Sequence, residues 1–276
     1  MSPLDGIENF LRSLVASFLN ALEFFLKAFA FIFDPTNWAG DAGIGARLLA
    51  HLGITVLSIL IAIVLAVPLG LLIGHTGRGR SAVIAITGAA RALPTFGVLI
   101  LFVLIGINFG AGLSLTPVIA VLAVLAVPPL LAGAYSGVEA VDRETVDSAR
   151  AIGMTEWQIL TRVELPLALP LLIGGLRSAT LQVIATATIA AYVAQGGLGR
   201  YLIEGIQLRD YTRAVVGAIL VAALALIVDG VLAVVQKLVA PRGVSRGATR
   251  TTSSTGMTAR RPTRSPDATR TPVTEG

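Results

Sequence analysis

Residues 139–166 read EAVDRETVDSARAIGMTEWQILTRVELP. Apolar runs at 115–135 and 167–194 flank this polar stretch, and each reaches the roughly 20 residues that a bilayer crossing needs. Inside hydrocarbon every unpaired backbone group is costly, so a polar segment of this length must stand in water as a folded element. An element that projects from a membrane body in this way is expected to touch another protein.

The composition agrees. The chain has 276 residues, 55% hydrophobic and 13% charged, with mean hydropathy +0.83. Soluble domains carry roughly 25% charged residues. The fold class this predicts is all-α, a polytopic helical membrane protein. The apolar runs are continuous rather than alternating, which argues against a β-barrel. Cysteine is absent, so disulfides and thiolate metal sites are excluded. His51 and His75 stand far apart in sequence and form no ligand pair; no metal site is expected.

The net charge of +5 belongs to one end of the chain. Residues 241–276 hold seven arginines against Asp267 and Glu275, which leaves residues 1–240 neutral. That tail, rich in Thr, Ser, Pro and Arg, is expected to be a disordered, solvated cytoplasmic extension. Weak attraction to anionic headgroups is its alternative role.

Outward from the polar stretch, the chain divides into 1–46, an N-terminal membrane or interfacial helix with an external loop, 47–240, the transmembrane body, and 241–276, the tail. In 10–33, Glu23 and Lys27 have the spacing of a helical ion pair, and the segment is read as peripheral to the core. No basic n-region or small-residue cleavage site marks it as a signal peptide. About five core spans follow, at 47–74, from Leu93–Pro94 to about 107, at 115–135, 167–194 and 214–239. Arg78, Arg80 and Arg91 place the 75–92 connection in the cytoplasm, and the polar stretch and the tail with it. The loop 195–213 breaks this charge rule, with Arg200, Arg209 and Arg213 on the external side.

Within the polar stretch, Asp142 is a helix N-cap and Gly153 a helix terminator that takes the left-handed conformation cheaply. Thr155 caps a second helix, and Gln158 completes a T-x-x-Q capping box. Pro166 begins the return into the membrane. The stretch is thus a helical hairpin.

Its spacing carries a resemblance. Asp147-Ser148-Ala149, three residues, Gly153, nine residues, Val163, one residue, then Leu165-Pro166 resembles the EAA loop of ABC-importer inner-membrane permeases. Asp147, Ser148 and Val163 depart from the family's E-A-A and isoleucine, keeping charge, small size and branching. The resemblance covers about 47–240 and implies the type I importer architecture, as in methionine permeases. It also implies that the loop docks into a groove on an ATPase subunit. Asp147, Ala149, Arg150, Gly153, Met154 and Thr155, closed by Leu165 and Pro166, then lie at or near the contact. Trp157, Ile159 and Leu160 are read as packing the hairpin against the spans.

The chain has no G-x-x-x-x-G-K-[ST] loop, and neither Lys27 nor Lys237 follows a glycine. No Ser/His/Asp set, H-E-x-x-H or paired-carboxylate cluster is present either. No enzymatic activity and no cofactor are therefore expected on this chain; ATP and magnesium belong to a separate ATPase pair. The other partners implied by the resemblance are a substrate-binding protein, a second permease copy or paralogue and the bilayer of the plasma (inner) membrane, with no nucleic acid.

The segments SATLQVIATATIAAYVAQGGLGRYLIEGI (178–206) and ARALPTFGVL (90–99) closely resemble permeases for glycine betaine, carnitine and choline. The implied cargo is a small osmoprotectant of that kind, or proline. A methionine or other amino-acid importer is the alternative, and an independent secondary transporter or a scaffold the more distant ones. Gln182, Thr186 and Asp229 are polar residues within spans and hence candidates for a translocation path. For Gln182 and Thr186, helix–helix hydrogen bonding competes evenly with that role, and for Asp229 pairing with an arginine of a neighbouring helix is preferred. Gly196, Gly197 and Gly199 form a candidate external gate turn, which a simple turn requirement explains equally well.

Overall fold

A computed structural model describes residues 3–92, 94–110, 114–193 and 196–240. The tail 241–276 lies outside the described residues, and so does the expectation of its disorder. The described residues are helical, without strands. Five helices are long and apolar enough to cross a membrane: Gly6–Phe33, Ile44–Thr76, Leu115–Glu139, Glu156–Ala190 and Tyr211–Val239. The all-α membrane fold read from the sequence is the fold observed.

The first helices are α1 (Pro3–Phe33), α2 (Ile44–Thr76), α3 (Arg80–Ala92), α4 (Thr95–Asn108) and α5 (Leu115–Glu139). After them come α6 (Arg143–Ala151), α7 (Glu156–Ile159), α8 (Leu165–Ala190), α9 (Gly199–Gln207) and α10 (Tyr211–Val239). Helices α2 and α5 run parallel: Ser58 donates to the Ile119 carbonyl at 3.4 Å, Gly70 packs on Ala134, and Gly74 on Val138. Two parallel helices in succession require a return crossing between them. Helix α4 has 14 residues, roughly 21 Å at 1.5 Å per residue, and cannot cover a hydrocarbon core of about 30 Å alone. The return that the sequence assigns to a span from Leu93 to about 107 is therefore shared with α3. Val83 of α3 and Leu99 and Val103 of α4 are buried in one cluster with α2, α5 and α8.

Helix α8 runs antiparallel to α5, and the seam is built from small residues. Gly133 meets Gly175, and Gly137 meets Ala168. Lipid tails are as apolar as leucine, so membrane helices gain by close backbone approach rather than by hydrophobic exclusion. Glycine gives that approach: a β-carbon on Gly175 would lie 2.7 Å from the Pro129 carbonyl oxygen. Helix α10 then packs antiparallel on α8, with Leu224 beside Ile184. Helix α1 is peripheral, as its mixed sequence suggests. Its buried Ala28 joins Ile44, Tyr201 and Val216, and Phe24 meets Tyr211 edge-on at 5.9 Å between ring centroids.

At the end of the bundle away from the hairpin, the arginine-rich loop has an internal explanation. Glu204 receives Arg47 at 3.2 Å, Arg200 at 2.9 Å and Arg213 at 3.9 Å. The Arg47 guanidinium also stacks 4.3 Å from the centre of the Tyr201 ring. Arg47, Arg200 and Arg213 therefore anchor α2, α9 and α10 to one carboxylate, which is a packing role and not a topological signal. His51 is fully buried at the same end. The Leu198 amide donates to its Nδ1 at 3.3 Å, which leaves Nε2–H to donate to the Ile184 carbonyl at 3.2 Å.

Candidate functional site

The polar stretch folds as its capping signals require. Asp142 caps α6 and accepts from the Glu144 amide at 3.2 Å. Gly153 ends the helix at φ +87°, with its amide donating to the Arg150 carbonyl at 2.9 Å. In the second helix both bonds of the capping box are present. The Gln158 amide donates to Thr155 Oγ1 at 3.3 Å, and the Thr155 amide donates to Gln158 Oε1 at 2.9 Å.

Pro166 stands in the first turn of α8, where the return into the membrane begins, yet the chain does not break there: Glu156–Ala190 is one continuous helix. Pro166 lacks an amide proton, and its ring would clash with the carbonyl four residues back. A π-helical turn over Leu160–Glu164 absorbs this, with the Leu165 amide donating to the Leu160 carbonyl five residues back. The second helix of the hairpin thereby runs into α8 without a break.

The outward face also needs correction. Ile159 and Leu160 are buried, as expected, but Trp157 is 71% exposed and does not pack against the spans. At 100° per residue Trp157 and Ile159 point to opposite sides of α7, and Ile159 takes the buried one. Ile152, beside Gly153, is 79% exposed. Asp147, Arg150, Gly153 and Thr155 are exposed and Met154 is half-buried. Ala149 is buried, so it supports α6 from within instead of facing a partner. Leu165 and Pro166 sit half-buried at the root of α8.

Beneath the hairpin lies an ionic chain that sequence reading missed. Arg150 grips Glu156 with two hydrogen bonds, of 2.8 and 3.0 Å, and donates to Asp147 at 3.0 Å. Those bonds, to Glu156 first, push the pKa of the Arg150 guanidinium up and keep it charged. Oε2 of Glu156, which accepts one of these bonds, also lies 3.2 Å from Nε2 of His75, at the end of α2. Nδ1 of the same ring lies 2.6 Å from the carboxylate of the buried Glu164. Arg80, opening α3, pairs with Glu139 at 2.9 Å. The partners of His75 are 81 and 89 positions away, and no local pattern announces them.

The candidate path residues do not converge on one site. Gln182 is exposed at a cavity of about 80 Å³ that also touches Thr87 and Ser178, whereas Thr186, one turn on, is buried. Asp229 is engaged: Arg177 on α8 donates two hydrogen bonds of 2.8 Å to its carboxylate and a third, of 2.9 Å, to Gln236. The Gln236 amide in turn donates to the Pro170 carbonyl. Asp229 therefore ties α8 to α10 and is not a free group lining a pathway. Asp229→Ala is expected to lower the apparent melting temperature in detergent by several degrees, and Arg177→Asp with Asp229→Arg to recover part of it. Thermal unfolding followed by size-exclusion recovery checks this.

The three glycines of the external turn separate as well. Gly197 has φ +75°, and a β-carbon there would lie 3.0 Å from Nδ1 of His51. A β-carbon on Gly199 would fall against the Thr188 carbonyl, so this glycine lets α9 approach α8. Gly196 has open space around it.

Comparison with known proteins follows the same lines. Residues 66–241 match the family model described as binding-protein-dependent transport system inner membrane component. The glycine betaine/carnitine/choline transport system permease protein OpuCB of Bacillus subtilis is 34% identical over 194 residues, covering 70% of this chain and 87% of that protein. The osmoprotectant import permease protein OsmW of Salmonella typhimurium is 33% identical over 201 residues, covering 70% and 90%. Among solved structures, a chain of the inward-facing MetNI methionine ABC transporter superposes with a TM-score of 0.62 at 22% identity, covering 69% of this chain and 93% of that one. That likeness is one of fold.

Proposed function

The chain belongs to the family of binding-protein-dependent transport system inner membrane components, and we propose that it forms the membrane pathway of an ATP-driven importer for a small osmoprotectant such as glycine betaine, carnitine, choline or proline. It is a transport permease subunit and not a catalytic one. The cargo is read from relatives such as OpuCB and OsmW, whose names give glycine betaine, carnitine, choline and osmoprotectants as what they move.

The observation that carries the coupling role is the hairpin's outward face. Ile152 and Trp157 stand exposed on either side of the Gly153 turn, and the helix that carries Trp157 continues into α8. A large aromatic beside an aliphatic side chain is the usual anchor of a protein interface. In this reading it enters a groove on an ATPase subunit, and two permease copies, or this chain and a paralogue, sit on an ATPase pair. ATP and magnesium bind there. A substrate-binding protein delivers cargo to the opposite end, near the Gly196–Gly197–Gly199 turn. Closure of the ATPases draws the two hairpins together, and the helices rooted in them rotate as rigid bodies to expose the pathway alternately. Arg78, Arg80 and Lys237 lie at the hairpin end, in favour of a cytoplasmic hairpin.

Ile152→Asp with Trp157→Asp is expected to reduce the ATPase recovered with the affinity-purified permease by about tenfold or more, as for loss of an aromatic anchor. Unchanged recovery would remove the hairpin from the interface. Competition of labelled glycine betaine uptake by carnitine, choline, proline and methionine ranks the cargo.

A further inference from the structure

We infer that His75 is a positioning residue of the transport cycle: it joins the hairpin to α2, so that displacement of the hairpin moves α2 together with α5 and α8. This rests on the hairpin being the element an ATPase moves. The chain itself connects the hairpin to α5 through Ala140–Val141 and to α8 through the π-helical turn. Helix α2 has no such covalent link. Its end is 80 residues from Glu156 in sequence, and it would follow the hairpin only through its packing on α5.

The ionic chain supplies the missing link. It runs from Asp147 and Arg150 on α6 through Glu156 on α7 to His75 on α2, and ends on Glu164 at the root of α8. Both ring nitrogens of His75 face carboxylate oxygens, so one side chain touches the hairpin and the root of α8 at once. The inner half of this chain is largely shielded from solvent: the side chains of His75 and Glu164 are only 10% and 6% exposed. A buried carboxylate is held in place by its partner, because separating the two leaves an uncompensated charge. The outer half, Arg150 with Glu156, is solvated but doubly hydrogen-bonded, which fixes its geometry.

What lies next to this link makes it mechanically useful. One residue before His75, Gly74 packs on Val138 of α5, and Gly133 and Gly137 of α5 pack on Gly175 and Ala168 of α8. These close backbone contacts carry a displacement of α2 to α5 and α8. A push delivered at His75 therefore moves α2, α5 and α8 as one body. Without the link, the hairpin still docks and still levers α8, but α2 receives the movement only second-hand, through its packing on α5.

The test is uptake per ATP hydrolysed in proteoliposomes containing the permease, its ATPase and its binding protein. His75→Asn keeps a polar group of similar reach but cannot bridge both carboxylates. We expect it to retain the ATPase subunit on purification while the transport-to-hydrolysis ratio falls by about tenfold, within the span of ordinary coupling energies. His75→Ala with Glu164→Leu removes both buried polar groups and avoids an unpaired charge, so a folding defect is not confused with uncoupling. The same fall is expected in it. The chain has no native cysteine, so His75→Cys with Glu156→Cys can be bridged by a short thiol-specific cross-linker, and bridging should restore the ratio. A wild-type ratio in His75→Asn and in the double variant, or no gain on cross-linking, overturns the inference. Failure of the wild-type permease to retain any ATPase would instead overturn the functional reading on which it rests.

Discussion

Gly153→Pro is expected to reduce uptake to background while leaving the amount of permease in the membrane unchanged. Gly153 sits at φ +87°, donates its amide to Arg150, and is followed by Met154, whose amide donates to Ala149. Proline fixes φ near −65° and has no amide proton, a combination that costs about 3 kcal/mol or more in an incompatible site. The turn between α6 and α7 cannot then close. Arg150 loses Glu156, and the exposed Ile152 and Trp157 on either side of the turn are displaced from one another. The membrane body is spared, because the hairpin lies outside the spans and a β-carbon at this position meets nothing within 4 Å. Gly153→Asn is the matching control: asparagine tolerates the left-handed region, so most uptake should survive. Membrane abundance by immunoblot and uptake by filtration, on the same cells, separate the two outcomes. Wild-type uptake in Gly153→Pro would show that the hairpin's shape has no part in transport.

Gly133→Leu is expected to prevent recovery of folded permease. A β-carbon there would lie 2.8 Å from the Gly175 Cα and 3.0 Å from the Leu171 carbonyl oxygen, and both are backbone. Neither can rotate away, so α5 and α8 must separate. Overpacking typically costs about 1–3 kcal/mol and more where backbone must move. Here it also removes the close approach that holds the two helices together. Gly133→Ala should show a smaller loss of the same kind. Monodisperse yield in detergent and the melting temperature report it, and a wild-type melting temperature for Gly133→Leu would rule out the seam as the centre of the bundle.

What was legible in the sequence follows the range of the interactions involved. Asp142, Gly153, Thr155 and Gln158 act on backbone within three residues, so their caps and turn could be read directly, as could the length and apolarity of the spans. Trp157 was misplaced although the information was present: two residues separate it from Ile159, which on a helix means opposite faces. Ala149 was assigned by motif position, and a motif does not say which face of α6 is inward. Pro166 opens α8 as its position suggests, but the π-helical turn that joins it to α7 is a local change of hydrogen bonding that a sequence does not display. Asp229 pairs with Arg177 across 52 positions, as preferred from the rarity of free charge within spans. The His75 bridge across 89 positions had no local signal at all. At 195–213 two of the three arginines that break the charge rule, Arg200 and Arg213, pair with Glu204, a partner within the bundle that loop charge counting does not register.

The claim that ties these features together is that the chain moves a small osmoprotectant only when driven by ATP on another subunit. The measurement that tests it most directly is uptake of labelled glycine betaine into proteoliposomes that hold the permease, its ATPase and its binding protein. Uptake is expected to require ATP and all three components, and to fall to background with the Ile152→Asp, Trp157→Asp permease. Uptake by the permease alone, or uptake that an ion gradient sustains without ATP, would contradict it.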